Sequence, residues 1–93
     1  AIRAWPLNVQ AYDSLAQLLA FQGKREAAIE TFDYALQVNP NYGPVHINLA
    51  MTYHLLNQEK KSRYHLRRAL ELRMEGPVID QIKSLILKIP RKP

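Results

Sequence analysis

Three histidines and one acid–hydroxyl pair are the side chains in this chain whose chemistry could support metal binding or catalysis. His46 and His54 are eight residues apart, and His65 lies further along the sequence. A zinc site on one helix uses two histidines four residues apart together with a further ligand, and this spacing does not occur. Asp13 and Ser14 are neighbours, so on a helix they would point apart and could not act together. The sequence therefore predicts neither a metal site nor an enzyme.

Positive charge is concentrated in the C-terminal half of the chain. Through His46 there are three basic and four acidic residues, whereas the remainder has ten basic and four acidic residues. The densest stretch predicts a basic surface made of Lys60, Arg63, Arg67 and Arg68. This surface could dock an acidic partner, and the alternative is a solvated outer face whose long side chains cover apolar surface.

Other partner classes lack their usual sequence signals. The chain has no Gly-rich phosphate loop and no aromatic platform for bases, so we do not expect nucleic acid as a partner. It has no apolar run of about 18 residues, so we do not expect a membrane partner either. With no cysteine, disulfides and thiolate metal sites are excluded.

The elements that must position these side chains are predicted to be helices. In residues 9–22 and 25–38 apolar side chains recur at helical spacing, and Gly23 and Pro40 mark the ends of these segments. Residues 44–56 and 59–73 repeat the arrangement, with Asn57 in the place of Gly23 because asparagine tolerates a positive φ. Two pairs of antiparallel helices are therefore expected.

The two pairs are copies of one unit with a period of 34 residues. Like residues occur 34 positions apart at Leu15 and Leu49, Ala16 and Ala50, Ala35 and Ala69, and Leu36 and Leu70. A period of this length predicts a solenoid of stacked helical units, in which no unit buries its apolar face alone.

The residues within each period resemble one known repeat. In the first copy the matching residues are Tyr12, Leu15, Ala16, Leu19, Ala28, Phe32, Ala35 and Pro40. In the second copy they are His46, Leu49, Ala50, Tyr53, Ser62, Leu66 and Ala69, with Met74 in the place of the closing proline. This order resembles the tetratricopeptide repeat (TPR) pattern of a large aromatic, leucine, small residue and aromatic, followed by alanine, aromatic, alanine and proline.

The resemblance implies an all-α superhelix of two full helix-turn-helix repeats, a partial N-terminal repeat and a C-terminal capping helix. We divide the single domain, residues 1–93, into the end of a preceding repeat (1–8), repeat 1 (9–42), repeat 2 (43–75), a capping helix (76–89) and a tail (90–93). The capping helix would leave Val78, Leu85 and Leu87 without cover. These residues suggest self-association through terminal helices.

In proteins that this sequence resembles, the first helix of each repeat carries the concave surface. Its expected inner face includes Ser14, Phe21, Asp80, Ser84, Leu87 and Lys88, and the residues expected to form a peptide-binding groove are Gln10, Asp13, Gln17, Ile47, Asn48, Met51, His54, Leu55 and Gln81. Gln17 and Asn48 would hydrogen-bond a ligand backbone, while Ile47, Met51 and Leu55 would form an apolar floor. The alternative for Ile47 and Met51 is packing between helices.

One subtype of these repeats grips the carboxylate at the end of heat-shock chaperones with lysines, asparagines and an arginine. Asn48 matches one of those places, but Asp13, Gln17, Pro77 and Gln81 stand where the other clamp residues would be. Because the clamp cations are missing, we do not expect chaperone-tail binding.

The sequence therefore predicts a protein–protein interaction module, part of a longer protein, that binds a peptide or helix of a partner in the concave groove. One alternative is a structural spacer or self-association segment within a larger assembly. Another is electrostatic docking of an acidic partner on the basic surface. No cofactor is expected.

Overall fold

The computed structural model describes residues 8–88, which form five helices joined by short loops. They are α1 (Val9–Phe21), α2 (Arg25–Val38), α3 (Gly43–Leu55), α4 (Glu59–Glu71) and α5 (Pro77–Leu87). Successive helices pack against each other and are joined by loops of only three to five residues. Such short connections make each helix run back along the one before it, so we infer that α2 and α4 run in the same general direction. The predicted all-α repeat solenoid is confirmed. The expected tail and nearly all of the expected preceding repeat lie outside the described residues.

Helices α1 and α3 end in the same way, 34 residues apart. Gly23 has a φ of 82° and Asn57 has a φ of 61°, which confirms that asparagine takes the place of glycine in the second copy. In each turn the N–H of the next residue donates to the carbonyl five positions earlier, over 2.9 Å. These bonds satisfy carbonyl groups that the helix end would otherwise leave unpaired.

Helices α2 and α4 end differently, because only the first copy has a closing proline. Asn39 is extended, with a φ of −146°, as a residue before Pro40 must be. In the second copy Arg73 takes the left-handed conformation instead, with a φ of 65°. The next residue, Met74, then packs against Gly43 at the start of α3.

Two apolar clusters form the core, and α3 contributes to both. The first core cluster contains Tyr12, Ala16, Ala28, Phe32, Ala35, Val45, Leu49 and Tyr53. The second core cluster contains Ile47, Ala50, Leu66, Ala69, Ile79, Ile82 and Ile86. The repeats are therefore joined through α3, which lies between α1 and α2 on one side and α5 on the other.

Small residues set the close approach of the helices. Five alanines of the two repeats are fully buried, namely Ala16, Ala28, Ala35, Ala50 and Ala69. Ser62 occupies the position that Ala28 has in repeat 1, and it is also fully buried. Its hydroxyl donates a 2.7 Å hydrogen bond to the carbonyl of Ala50, so its polar atom has a partner within the α3–α4 contact.

His46 and His65 form a hydrogen-bonded pair between α3 and α4. Nε2 of His46 lies 2.8 Å from the carbonyl oxygen of Pro40, which can only accept, so this nitrogen carries the proton. The Nδ1 atoms of the two rings are 3.0 Å apart. In a neutral His46 the Nδ1 atom is an acceptor, so His65 Nδ1 donates. The ring of His65 also stacks on His46 and on Tyr53.

Helix α5 covers the second repeat with one side only. Ile79, Ile82 and Ile86 are buried in the second core cluster, while Val78 and Leu85 are exposed. Leu87 was expected to lack cover, but it packs partly buried against that cluster. More apolar side chains of α5 therefore pack against the second repeat than the sequence suggested.

We expect Gly43→Ala to destabilise the protein by about 1 to 2 kcal/mol, although alanine is the better helix former. An added Cβ would lie 2.6 Å from Sδ and 2.7 Å from Cγ of Met74, so this side chain would have to move. Urea unfolding of Gly43→Ala, Met74→Ala and the double variant measures the coupling. The double variant should be less destabilised than the sum of the single variants. A Gly43→Ala protein as stable as wild type would contradict this prediction.

We also expect stability to fall between pH 6.5 and 4 because of His65. Burial, with a smaller contribution from His46, lowers the pKa of His65 to about 4. The unfolded chain binds the proton first, so stability from this group is complete above pH 6.5 and is lost as the pH falls through 4. Allowing for solvent screening of this partly exposed ring, the loss should be about 1 to 2 kcal/mol.

His65→Gln is the matched control, because its amide N–H keeps a donor for His46 Nδ1 without titrating at these pH values. Urea unfolding of both proteins at several pH values gives the comparison. Parallel stability curves for wild type and His65→Gln would show that His65 does not cause the loss.

Candidate functional site

An open cleft of about 310 Å³ lies between α1 and α3. It is lined by Gln17, Ala20 and Phe21 of α1, Phe32 of α2, and Asn48, Met51, Thr52 and Leu55 of α3. Four of these residues, namely Gln17, Asn48, Met51 and Leu55, belong to the groove predicted from the sequence. The cleft thus brings together part of that groove, between the first helices of two successive repeats.

The rim of the cleft is apolar and exposed. Phe21 is the last residue of α1 and is 91% exposed, and Leu55 is the last residue of α3 and is 54% exposed. Met51 lies one turn before Leu55 and is partly buried. Large apolar side chains standing this far out of a surface offer area that a ligand could bury.

One wall of the cleft is polar, and a hydrogen bond to a buried residue holds its Asn48 side chain in place. Nδ2 of Asn48 donates a 2.9 Å hydrogen bond to Oδ1 of Asp13, which is only 7% exposed. The hydroxyl of Thr52 donates to the backbone carbonyl of Asn48 at 2.8 Å. Asn48 uses only one of its two side-chain N–H groups in this bond, so its amide retains capacity for a ligand. Gln17 is exposed on the opposite wall.

The structure places the other predicted groove residues outside the cleft. Ile47 is buried in the second core cluster because it faces α5, which corrects its expected place in the floor. His54 lies against Glu59, with Nδ1 3.1 Å from the carboxylate. Gln10 and Gln81 are exposed but do not line the cleft. Asp13 supports Asn48 from a buried position instead of facing a ligand.

Three lining residues were missing from the sequence prediction. Ala20 and Thr52 follow Gln17 and Asn48 by three and four residues, so helical spacing alone could have identified them. Phe32 could not be found in this way, because it belongs to α2 and reaches the cleft only through the packing of the first repeat.

The predicted basic surface divides into two parts. Lys60, Arg63 and Arg67 are exposed and form no ion pair with any residue of the described segment. Arg68 instead pairs with Glu71 at 2.8 Å and donates to the side-chain oxygen of Asn41 at 3.2 Å. Arg68 is thus held within the chain, while the other three cations face solvent.

Residues 8–88 show no cluster of three or more His, Cys, Asp or Glu side chains with metal-binding geometry. Nor does any helix in this range have the length and apolar character needed to cross a bilayer.

Both helical repeats match a known protein family. Residues 9–42 and 43–73 each match the family described as Tetratricopeptide repeat, and the two matches together cover more than half of the chain. No curated protein matches the chain.

Asn48→Ala should destabilise the protein by about 1 to 3 kcal/mol, because the nearly buried carboxylate of Asp13 loses a donor. Thermal and urea unfolding of Asn48→Ala, Asp13→Ala and the double variant form a cycle. We expect the double variant to be more stable than the sum of the single effects predicts. Full additivity would mean that the two side chains do not interact.

Proposed function

The chain belongs to the tetratricopeptide repeat family, and on that premise we propose that it binds a peptide or helix of a partner protein in the cleft between α1 and α3. Repeats of this family are in general non-enzymatic protein–protein interaction modules. The observation that carries the proposal is the exposed apolar rim formed by Phe21 and Leu55 around this cleft.

An apolar side chain of the ligand fits the open end of the cleft. Phe21 and Leu55 would enclose it from two sides, with Met51 below, and a flexible thioether adapts to ligands of varied shape. Full burial of a side chain such as phenylalanine contributes about 1.5 to 3 kcal/mol. One such anchor therefore accounts for a substantial part of a micromolar affinity, which corresponds to about 8 kcal/mol.

The polar wall suits the backbone of the ligand. The side chain of Asn48 is held by Asp13, so little side-chain freedom is lost when it bonds a ligand. Gln17 on the other wall has both a donor and an acceptor. An extended segment or a helix end exposes unpaired N–H and C=O groups that these two amides could satisfy.

A structural spacer would not need this rim. A surface with no ligand gains nothing from an aromatic side chain that is 91% exposed, and such a residue favours aggregation. This contrast supports peptide binding over the spacer alternative for repeats 1 and 2.

Selection from a random linear peptide library displayed on phage, with the 93-residue chain as bait, tests the proposal. Enriched peptides should share at least one large apolar residue, and Phe21→Ser should weaken their binding about tenfold or more, because the anchor loses one side of its pocket. Met51→Asp should weaken binding further by placing a charge below the anchor.

Leu18→Ser is the matched control. Leu18 is also an exposed apolar residue of α1, at 53%, but it does not line the cleft. It should leave peptide affinity unchanged, and circular dichroism should show all variants folded. Peptides that bind Phe21→Ser and Met51→Asp as tightly as wild type, or no enrichment at all, would refute binding in the cleft.

A further inference from the structure

The outer surfaces of α2 and α4 carry opposite charges at equivalent repeat positions. Glu26, Glu30 and Asp33 lie on the side of α2 opposite buried Phe32 and Ala35, and we call them the acidic stripe. On α4, the side opposite buried Leu66 and Ala69 is basic. We call its residues the basic stripe, namely Lys60, Arg67 and the neighbouring Arg63 and Tyr64. All seven residues are exposed.

The two stripes are matched in spacing as well as in charge. Glu26 and Lys60 are 34 residues apart, and so are Asp33 and Arg67, so each pair occupies one repeat position. Within each helix the two positions are seven residues apart, which places them on one face about 10 Å apart. Glu30 corresponds to Tyr64, with Arg63 beside it.

Within residues 8–88, no ion pair neutralises the acidic stripe, and none neutralises the basic stripe. Both acidic residues of α4 are engaged elsewhere, Glu59 with His54 and Glu71 with Arg68. Among residues 8–88 the acidic stripe forms no ion pair, although Asp33 does lie in the electrostatic field of Lys61. Charges of both signs therefore remain available for a second molecule.

We propose that these stripes join two copies of the chain into a symmetric dimer, with α2 of each copy against α4 of the other. Because α2 and α4 are parallel, a two-fold axis can lie parallel to both helices and midway between them. Rotation about this axis places α2 of one copy opposite α4 of the other copy, and α4 opposite α2. The rotation leaves the position of each residue along the axis unchanged, so residues at equivalent repeat positions face each other. Glu26 then faces the partner's Lys60, Asp33 faces the partner's Arg67, and Glu30 faces the partner's Arg63 and Tyr64. Because of the two-fold symmetry, each of these contacts occurs twice in the dimer.

This arrangement fits a second copy better than a broad anionic surface. A membrane or a nucleic acid lying across the outer face would meet the acidic stripe together with the basic stripe, and one of them would repel it. A second copy satisfies both. The proposal does not depend on peptide binding in the cleft, which lies between α1 and α3.

The expected dimer is weak and has a characteristic salt dependence. Exposed ion pairs contribute little individually and are screened, so association should disappear at about 1 M salt, where the screening length is about 3 Å. The net charge of +5 opposes association of two copies. Association should therefore be strongest near about 0.1 M salt, where repulsion across the whole molecules is already reduced.

Charge reversal with complementation tests the proposal by sedimentation equilibrium at 0.1 to 1 millimolar chain, at about 0.1 M salt. Glu26→Lys with Asp33→Lys, and separately Lys60→Glu with Arg67→Glu, should each weaken self-association about tenfold or more. An equimolar mixture of the two double variants should associate again as a heterodimer, because reversed charges meet reversed charges in one half and native charges meet in the other.

Glu75→Lys with Asp80→Lys is the matched control, since it changes the net charge as much as the acidic-stripe variant but at exposed positions outside both stripes. It should still associate. A variant that failed to fold would not be rescued by mixing, and circular dichroism identifies it, while the salt dependence of wild type needs no variant. A monomeric wild type, no rescue in the mixture, or an association that survives reversal and is abolished by Leu85→Ser would overturn the proposal.

Discussion

Helix α3 has to bury apolar side chains on opposite faces, and the other four described helices are arranged around this requirement. Val45, Leu49 and Tyr53 enter the first core cluster, whereas Ile47 and Ala50 enter the second. Neither repeat buries its core without this helix, since each cluster is completed by residues of α3. In a linear array of repeats, stability comes from interfaces between neighbours as well as from each unit, and here both interfaces pass through one helix. The cleft depends on the same arrangement, because its two walls are α1 and α3.

Helix α3 contacts the preceding repeat and the following helix α5 through different chemistry. Asp13 and Ile47 occupy the same repeat position, 34 residues apart. Asp13 on α1 accepts a hydrogen bond from Asn48 of α3, whereas Ile47 on α3 packs in the core formed with α5. A directed bond fixes the side chain of Asn48 at the cleft, and an apolar contact attaches the last helix. The position that joins repeats thus also prepares the polar wall of the site.

Local spacing predicted much of this structure, while contacts between distant helices could not be predicted in the same way. The helices follow from apolar periodicity, and the left-handed turn at Asn57 follows from its equivalence to Gly23. The pairing of His46 with His65 depends on how α3 and α4 cross, which no spacing within one helix reveals. The same reason explains why Phe32 was not assigned to the cleft. Ile47 was placed in the groove because it lies on the expected inner face of a first helix, as Met51 does, but only the position of α5 determines that it is buried.

The position of the cleft at the ends of α1 and α3 gives it an electrostatic character. Phe21 and Leu55 are the last residues of these helices, which run parallel, so two C-terminal ends meet at the same side of the cleft. The C-terminus of a helix carries about half a negative elementary charge, because the dipoles of its peptide groups are aligned along the helix. A ligand carboxylate at this end would be repelled, and an ammonium or guanidinium group would be attracted. A peptide bound in this cleft as proposed would therefore carry an apolar anchor followed by a cationic side chain, which is the opposite of what a carboxylate clamp selects.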